Sequence, residues 1–291
     1  MFIMVSNIMI DLKKEYMFYD EKQLERKAIT MEKFLDEIII SKKFIGFQIW
    51  LNNFTASIVN PLKIEKTKEV ENPDIKQFVL AMQIFILNSK RLYHSLELTY
   101  TDAAESNYNL LRMVFESILF SFYLSTHVDK ADDIIKFFNE RFLEIDNPSK
   151  KRKEYTIEEL EIINRRDKYS PKNIRESLYV DQQRESMKKI YAILSTQSHA
   201  NIETLNGSHY QYSEKRIRDF FWYIKSLSFY NIVAFLDNLP TTQNIIYEII
   251  NKEIVEVLNE LKNMASDNGM MGNFFPNHPN VAKSRTYFSK N

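Results

Sequence analysis

"NYNLLRMVFESILFSFYLSTH", residues Asn107–His127, is the stretch on which the fold turns. Read as a helix, it carries apolar residues on nearly every face: Leu110, Met113, Val114, Ile118, Leu119, Phe122 and Leu124 spread around the wheel. Such breadth predicts a helix with neighbours on most sides. One narrow stripe breaks the pattern. Successive residues advance by about 100°, so positions four apart lie nearly above one another. Glu105, Asn109, Arg112 and Glu116 share such a line, which Phe120, Tyr123 and His127 continue. An exposed helical ion pair is favoured with the acid N-terminal to the base; here the order is reversed. The aromatic continuation also points to a seam between helices rather than to water. A buried pair must be satisfied. Structural clamping and half of a functional site both meet that demand, and the sequence leaves both open.

Working outward, helix signals recur on both sides. "EKQLERKAITMEKFLDEIIISKKF" (Glu21–Phe44) has helical apolar spacing, and a second helix is expected over Gly46–Val59, stopping near Pro61. Asn72, Pro73 and Asp74 open a long helix to about Tyr100. Asp102-x-x-Glu105 and Thr156-x-x-Glu159 have the form of capping boxes. Further helices are expected near Asp129, from Asp181, over Ser213–Leu239 before Pro240, and over the stretch that ends at Met264. Only four glycines occur: Gly46, Gly207, Gly269 and Gly272. Tight hairpins and phosphate-cradling loops depend on glycine, so the scarcity favours helices joined by polar turns. The expected architecture is an all-α antiparallel helical bundle. Its predicted organisation is an N-terminal helical extension (1–72), a core bundle (73–264) and an extended tail (265–291). The charge-dense span Glu144–Ser177 reads as a partly helical, solvated excursion.

Composition narrows the class. The chain has 291 residues, 44% hydrophobic and 27% charged, as expected of a globular protein. Lys+Arg and Asp+Glu each total 39, so no global field favours nucleic acid or anionic lipid and any such contact needs a local patch. There is no cysteine, which removes disulfides, thiolate metal sites and cysteine nucleophiles and fits a cytoplasmic location. The opening "MFIMVSNIMIDLKK" lacks a basic n-region and a small-residue cleavage site. No run is apolar enough to predict a membrane span. Neither H-E-x-x-H nor E-x-x-H occurs, and no glycine-rich phosphate loop, so no metal or other cofactor is expected.

The second candidate stretch is "YAILSTQSHANIETLNGSHYQYS" (Tyr191–Ser213). Ser195, His199 and Glu203 stand at four-residue steps, so one helix would place hydroxyl, imidazole and carboxylate on one face. No strand–turn–helix elbow accompanies them, which argues against a nucleophilic triad. A carboxylate at Glu203 or Glu116 orienting His199 for proton transfer is the simpler chemistry. The competing expectation is a histidine hydrogen-bonded near a helix end before Gly207.

Arg112-Met-Val-Phe-Glu116 followed by Leu194-Ser195-Thr-Gln-Ser-His199 resembles a family of bacterial all-helical domains of unknown function, over roughly Pro73 to Leu205. That family is similar in turn to the HEPN group of helical bundles, many of which are RNA-cleaving toxins or antiphage effectors. The resemblance implies that Arg112, Glu116, Ser195 and His199 form one catalytic pocket in a defence- or toxin-like protein acting on RNA. The HEPN nuclease pattern sets Arg and His on one helix, four to six residues apart. No such pair occurs here, and Arg91 and His94 are too close. Cleavage would therefore draw on two helices. The alternative is a non-catalytic interaction protein that uses the same residues as a clamp.

Two further features bear on partners. "SKKRK" contains Lys150, Lys151, Arg152 and Lys153, a candidate nucleic-acid contact or a solvated loop neutralised by the nearby "EELE". "RIRDFFWYIKSLSFYNIVAF" is rich in aromatics and reads as core, with the seam of a homodimer as its rival.

Overall fold

A computed structural model of the chain describes residues 21–59, 73–99, 104–140, 155–179, 181–198 and 214–238. These residues form an all-α bundle, with no strand among them. The helices are α1 (Glu21–Lys33), α2 (Leu35–Val59), α3 (Pro73–Leu98), α4 (Ala104–Thr126), α5 (Ala131–Glu140), α6 (Ile157–Lys168), α7 (Pro171–Leu178), α8 (Asp181–Ser198) and α9 (Glu214–Leu236). A 3-10 turn, Val128–Lys130, leads into α5. The stretches 1–20 and 239–291, with the expected last helix and tail, lie outside the described residues, as do the caps at Asn72 and Asp102.

One boundary differs from expectation. The break falls at Phe34, not between Phe44 and Gly46, and α2 runs straight through the glycine. Gly46 is exposed and a Cβ there would meet nothing within 4 Å. A helical glycine costs about 1 kcal/mol relative to alanine, which a helix of 25 residues packed along its length absorbs. Even at Phe34 the ladder persists, since Phe34 N donates to Thr30 O and Ile38 N donates to Phe34 O, both at 3.0 Å. Elsewhere local chemistry acts as read. Thr156 Oγ1 accepts from Glu159 N at 3.2 Å, and Glu159 Oε2 accepts from Thr156 N at 2.7 Å, completing the capping box.

The four longest helices with dense apolar faces, α2, α3, α4 and α9, make the core. Hydrogen bonds fix their directions. Gln77 pairs with Asn238 and Asn88 with Asn231, so α3 and α9 run antiparallel. Ser95 with Asn107 and Arg91 with Ser117 set α4 antiparallel to α3. Glu37 with Lys225 and Gln48 with Asn231 place α2 parallel to α9. From Tyr223 to Leu236 every residue of α9 is buried. Phe220, Tyr223, Leu227 and Tyr230, the stripe with two possible roles, are thus core within one chain. Phe85 and Phe235 stack at 4.5 Å between α3 and α9, and Tyr108 meets Phe220 at 4.8 Å between α4 and α9. Residues of 21–59, among them Phe34, Ile38, Phe44 and Leu51, belong to the same apolar cluster as α3, α4 and α9.

The charged excursion is anchored rather than merely solvated where it is described. Asp133 on α5 accepts from Arg165 Nε at 2.9 Å, Lys168 Nζ at 2.6 Å and Tyr169 Oη at 2.6 Å. Arg165 also pairs with Glu140. Burial pushes the Asp133 carboxyl up, but the hydrogen bonds from Lys168, Tyr169 and Arg165 outweigh it and bring its pKa down to about 2. A carboxylate lowered by folding adds stability above its unfolded pKa of about 4, lost as pH falls through the folded value. Asp133→Asn is expected to lower thermal stability at neutral pH, with the deficit from wild type shrinking between about pH 4 and pH 2. Parallel calorimetric melts across that range check the sign.

Buried amides supply a second test. Asn231 Nδ2 donates to Gln48 Oε1 at 2.7 Å and to Phe85 O at 3.3 Å, while its Oδ1 accepts from Asn88 Nδ2 at 3.0 Å. Asn88 makes only that one side-chain bond among the described residues, and its own Oδ1 is buried without a partner. Losing Asn231 strands more polar atoms than losing Asn88. Asn231→Ala is expected to cost about 3 kcal/mol in urea denaturation and Asn88→Ala about 1 kcal/mol.

Candidate functional site at the α4–α8 seam

α4 is central because its apolar residues face several neighbours at once. Leu111, Val114, Phe115, Ile118, Leu119 and Phe122 are all buried. Its polar stripe passes from solvent into the interior. Asn109 is exposed, Arg112 is intermediate, and Glu116, Phe120 and Tyr123 are buried. His127 ends the line, half-buried and stacked on Tyr123 at 4.1 Å. The stripe is a seam, as its aromatic continuation predicts. On the other side stands α8, which buries Met187, Ile190 and Leu194 and turns Tyr191 and Ser195 to the flank of that face.

Arg112 Nε donates to Glu116 Oε1 at 3.0 Å, and Arg112 Nη2 donates to Tyr191 Oη at 3.1 Å. The Glu116 residue is only 8% exposed, while the Arg112 side chain keeps 24% of its surface in reach of solvent. Burial works against the guanidinium charge, but the hydrogen bond and charge of Glu116, with help from Tyr191, raise the Arg112 pKa. The cation is therefore permanent and its direction is set by a buried carboxylate. Its Cζ also lies 5.3 Å from the centre of the Tyr191 ring, and Phe115 packs near the same ring at 6.4 Å. The Tyr191 phenol thus ties α8 to the charged pair of α4.

Ser195 lies one helical turn beyond Tyr191 on α8, about 6 Å along the axis. Of the four residues expected to converge, the structure pairs Arg112 with Glu116 directly and sets Ser195 on the helix that Arg112 touches. His199 is the residue next after the α8 C-terminus and lies outside the described residues, as do Glu203 and the basic run Lys150, Lys151, Arg152 and Lys153.

Two participants were missed at the level of sequence. Tyr191 precedes Ser195 by four residues, so the periodicity that singled out Ser195 also marks it. Arg175 on α7 fell inside the charge-dense excursion. It is nevertheless buried, with its Cζ 5.8 Å from the Tyr191 ring centre. Its signal was the flanking pattern of Ile174, Leu178 and Tyr179, all buried, which marks α7 as a packed helix.

Two cavities lie elsewhere. One of about 470 Å³ sits between α3 and α5 beside Lys76 and Asp132, and one of about 360 Å³ sits between α2 and α3 beside Asn52, Tyr93 and His94. Among the described residues, no cluster of three or more His, Asp and Glu side chains is placed to hold a metal ion, and no helix is long and apolar enough to cross a membrane. No family model, curated protein or solved structure matches the chain. The chemistry must be argued from the side chains.

Removing Arg112 takes a charged hydrogen-bond partner from the buried Glu116 carboxylate, and Arg112→Ala is expected to cost about 3 kcal/mol. Tyr191→Phe removes one hydrogen bond at the seam and keeps the ring, so about 1 kcal/mol is expected. Chemical denaturation of Arg112→Ala, Tyr191→Phe and the double variant checks both figures. Because the two residues share a bond, the double variant should lose less than the sum of the singles.

Proposed function

We propose that the α4–α8 seam is the working site of a helical, defence- or toxin-like protein that acts on RNA. The observation that carries the reading is the Arg112 guanidinium, held in a fixed direction by buried Glu116 and half-buried Tyr191 yet still partly open to solvent. A preorganised cation of that kind stabilises charge developing on a phosphate without having to reorganise. Ser195 adds a hydroxyl on the facing helix. The resemblance of Arg112-x-x-x-Glu116 and Ser195-x-x-x-His199 to helical RNA-cleaving families supplies the substrate class.

The reaction consistent with these groups is metal-independent strand cleavage. A base, assigned to His199 by residue type, takes the proton of a ribose 2′-hydroxyl. The freed oxygen attacks the adjacent phosphorus, and Arg112 balances the added charge on the phosphorane. The bond to the 5′-oxygen then breaks and that oxygen takes up a proton. The products are a 2′,3′-cyclic phosphate and a 5′-hydroxyl.

A second reading rests on the same contacts. Arg112 spends Nε on Glu116 and Nη2 on Tyr191, which is the work of a brace, and a non-catalytic interaction protein would need nothing more. The two separate on activity against stability. Incubated with total cellular RNA, the wild-type protein should generate fragments ending in cyclic phosphate. His199→Ala should slow this by at least about a hundredfold, the scale of lost general-base catalysis, without lowering its melting temperature. Identical RNA profiles for both proteins and for a blank would leave only the brace.

A further inference from the structure

α2 carries apolar residues on all its sides, and a helix of that kind calls for neighbours all round it. One side has them: Ile38, Phe44, Ile45 and Leu51 are buried in the cluster shared with α3 and α9. The other side is open. Leu35, Ile39, Ile49 and Trp50 are 40%, 45%, 50% and 41% exposed. With successive residues about 100° apart, all four lie within about 60° of Gly46 on the helical wheel. Gly46 is therefore the centre of an exposed apolar stripe.

No contact inside the chain calls for a glycine there. Gly46 is helical and exposed, and a Cβ would meet nothing within 4 Å. Its cost in helix propensity, about 1 kcal/mol, has no return within one chain. What a glycine on an open face permits is the close approach of another backbone. Trp50 gives a second, independent sign. Its ring is stacked between Phe47 at 5.6 Å and Phe54 at 5.3 Å, so a large aromatic is held still at the surface. Rigid aromatic anchors lose little entropy on association and dominate protein interfaces. On the other edge of the stripe, Ile49 adjoins the cavity of about 360 Å³ that exposed Tyr93 of α3 also lines. Tyr93 widens the patch toward the roughly 800 Å² per partner that a stable interface covers.

The geometry points to a second copy of this chain as the partner, docked through α2 with the two helices crossing antiparallel at Gly46. A two-fold axis at the crossing sets the stripe against itself. Residues equally far before and after Gly46 then face one another across the axis. Lys42 meets Trp50 of the other copy, a cation over an indole face, and the contact occurs twice. Ile39 meets Asn53 in the same way. A parallel crossing would instead set Lys42 against Lys42, and the like charges would repel. The formal net charge of the chain is zero, so no long-range field holds two copies apart. No residue of the α4–α8 seam takes part, and the pairing stands or falls separately from action on RNA.

The test uses the full chain and its lack of cysteine. Gly46→Cys puts the single thiol of each copy at the crossing, and mild oxidation is expected to give a disulfide-linked dimer on a denaturing gel. Lys188→Cys, exposed on α8, is expected to stay unlinked. So is Lys42→Cys, because the antiparallel crossing sets the two copies of residue 42 about 12 Å apart along the helices, beyond disulfide reach. Sedimentation velocity over a concentration series is expected to show wild type passing from monomer to dimer. Gly46→Leu should weaken that association at least about tenfold. Its melting temperature, taken where both proteins are monomeric, should equal or exceed wild type, since leucine is the better helix former. Ile39→Glu should weaken association likewise, and it covers the case in which the leucine variant misfolds. A glycine required by the fold alone would give the reverse, a lower melting temperature with association unchanged. Wild type monomeric throughout the series overturns the proposal. A dimer that Gly46→Leu and Ile39→Glu leave intact and Gly46→Cys does not link also overturns it, because another face then forms the pair. Linking of Lys42→Cys as readily as Gly46→Cys overturns the antiparallel crossing.

Discussion

Buried amides shared between helices are the constraint on which this bundle depends. Long apolar helices can slide past one another by a turn at little loss of buried area, because leucine, isoleucine and phenylalanine are nearly interchangeable along a packed face. A buried amide cannot slide, because its partner would be left unsatisfied in a medium without water. Here α3 is pinned at three heights: Gln77 to Asn238, Asn88 to Asn231 with Gln48 joining from α2, and Ser95 to Asn107. The Asn238 amide reaches across to Ser121 of α4 as well. Register between α2, α3, α4 and α9 therefore comes from hydrogen bonds, and cohesion from the aromatic core.

Register matters for the candidate site because α4 takes part in both systems. Its Ser121 and Asn107 fall in the amide layers, and Arg112 and Glu116 stand between them on another face. Once α4 is fixed against α3 and α9, its second seam faces α7 and α8 with no freedom left to rotate. The Tyr191 hydrogen bond then adds a polar tie to the apolar packing of Met187, Ile190 and Leu194 that seats α8. A site built across two helices can be aimed within a fraction of an ångström only if its scaffold is determined elsewhere. In this chain that scaffold is the α3-centred core.

Fold class was legible in the sequence because it depends on periodicity and on glycine scarcity, both properties of the chain itself. Helix ends with explicit caps, such as Thr156 and Glu159, were equally legible. The boundary near Gly46 was misread because propensity gave way to packing: an exposed glycine with open space around it does not end a helix whose opposite face buries Ile38, Phe44, Ile45 and Leu51. In the site, Arg112 and Glu116 could be read because reversed charge order and an aromatic continuation are local signals. Arg175 could not. Its surroundings are dense in charge, and local density predicts a solvated surface unless the fold brings α7 beneath α4. Burial of one arginine within such a segment is a tertiary fact.

Arg175 differs from the other cations of low exposure in meeting an aromatic ring rather than an acid. Natural sequences keep local and global demands consistent, and departures tend to gather where function asks for them. Lys225 is just as deeply buried and has an acid from another helix; Arg165 is more exposed and has two. A chain able to supply carboxylates to those cations could have supplied one to Arg175, where a glutamate on α8 would suffice. It places a phenol there instead, together with a second arginine whose own acid is already engaged. The ring meets both guanidinium groups, at 5.3 Å from Arg112 Cζ and 5.8 Å from Arg175 Cζ, and ties α4, α7 and α8 together at one side chain.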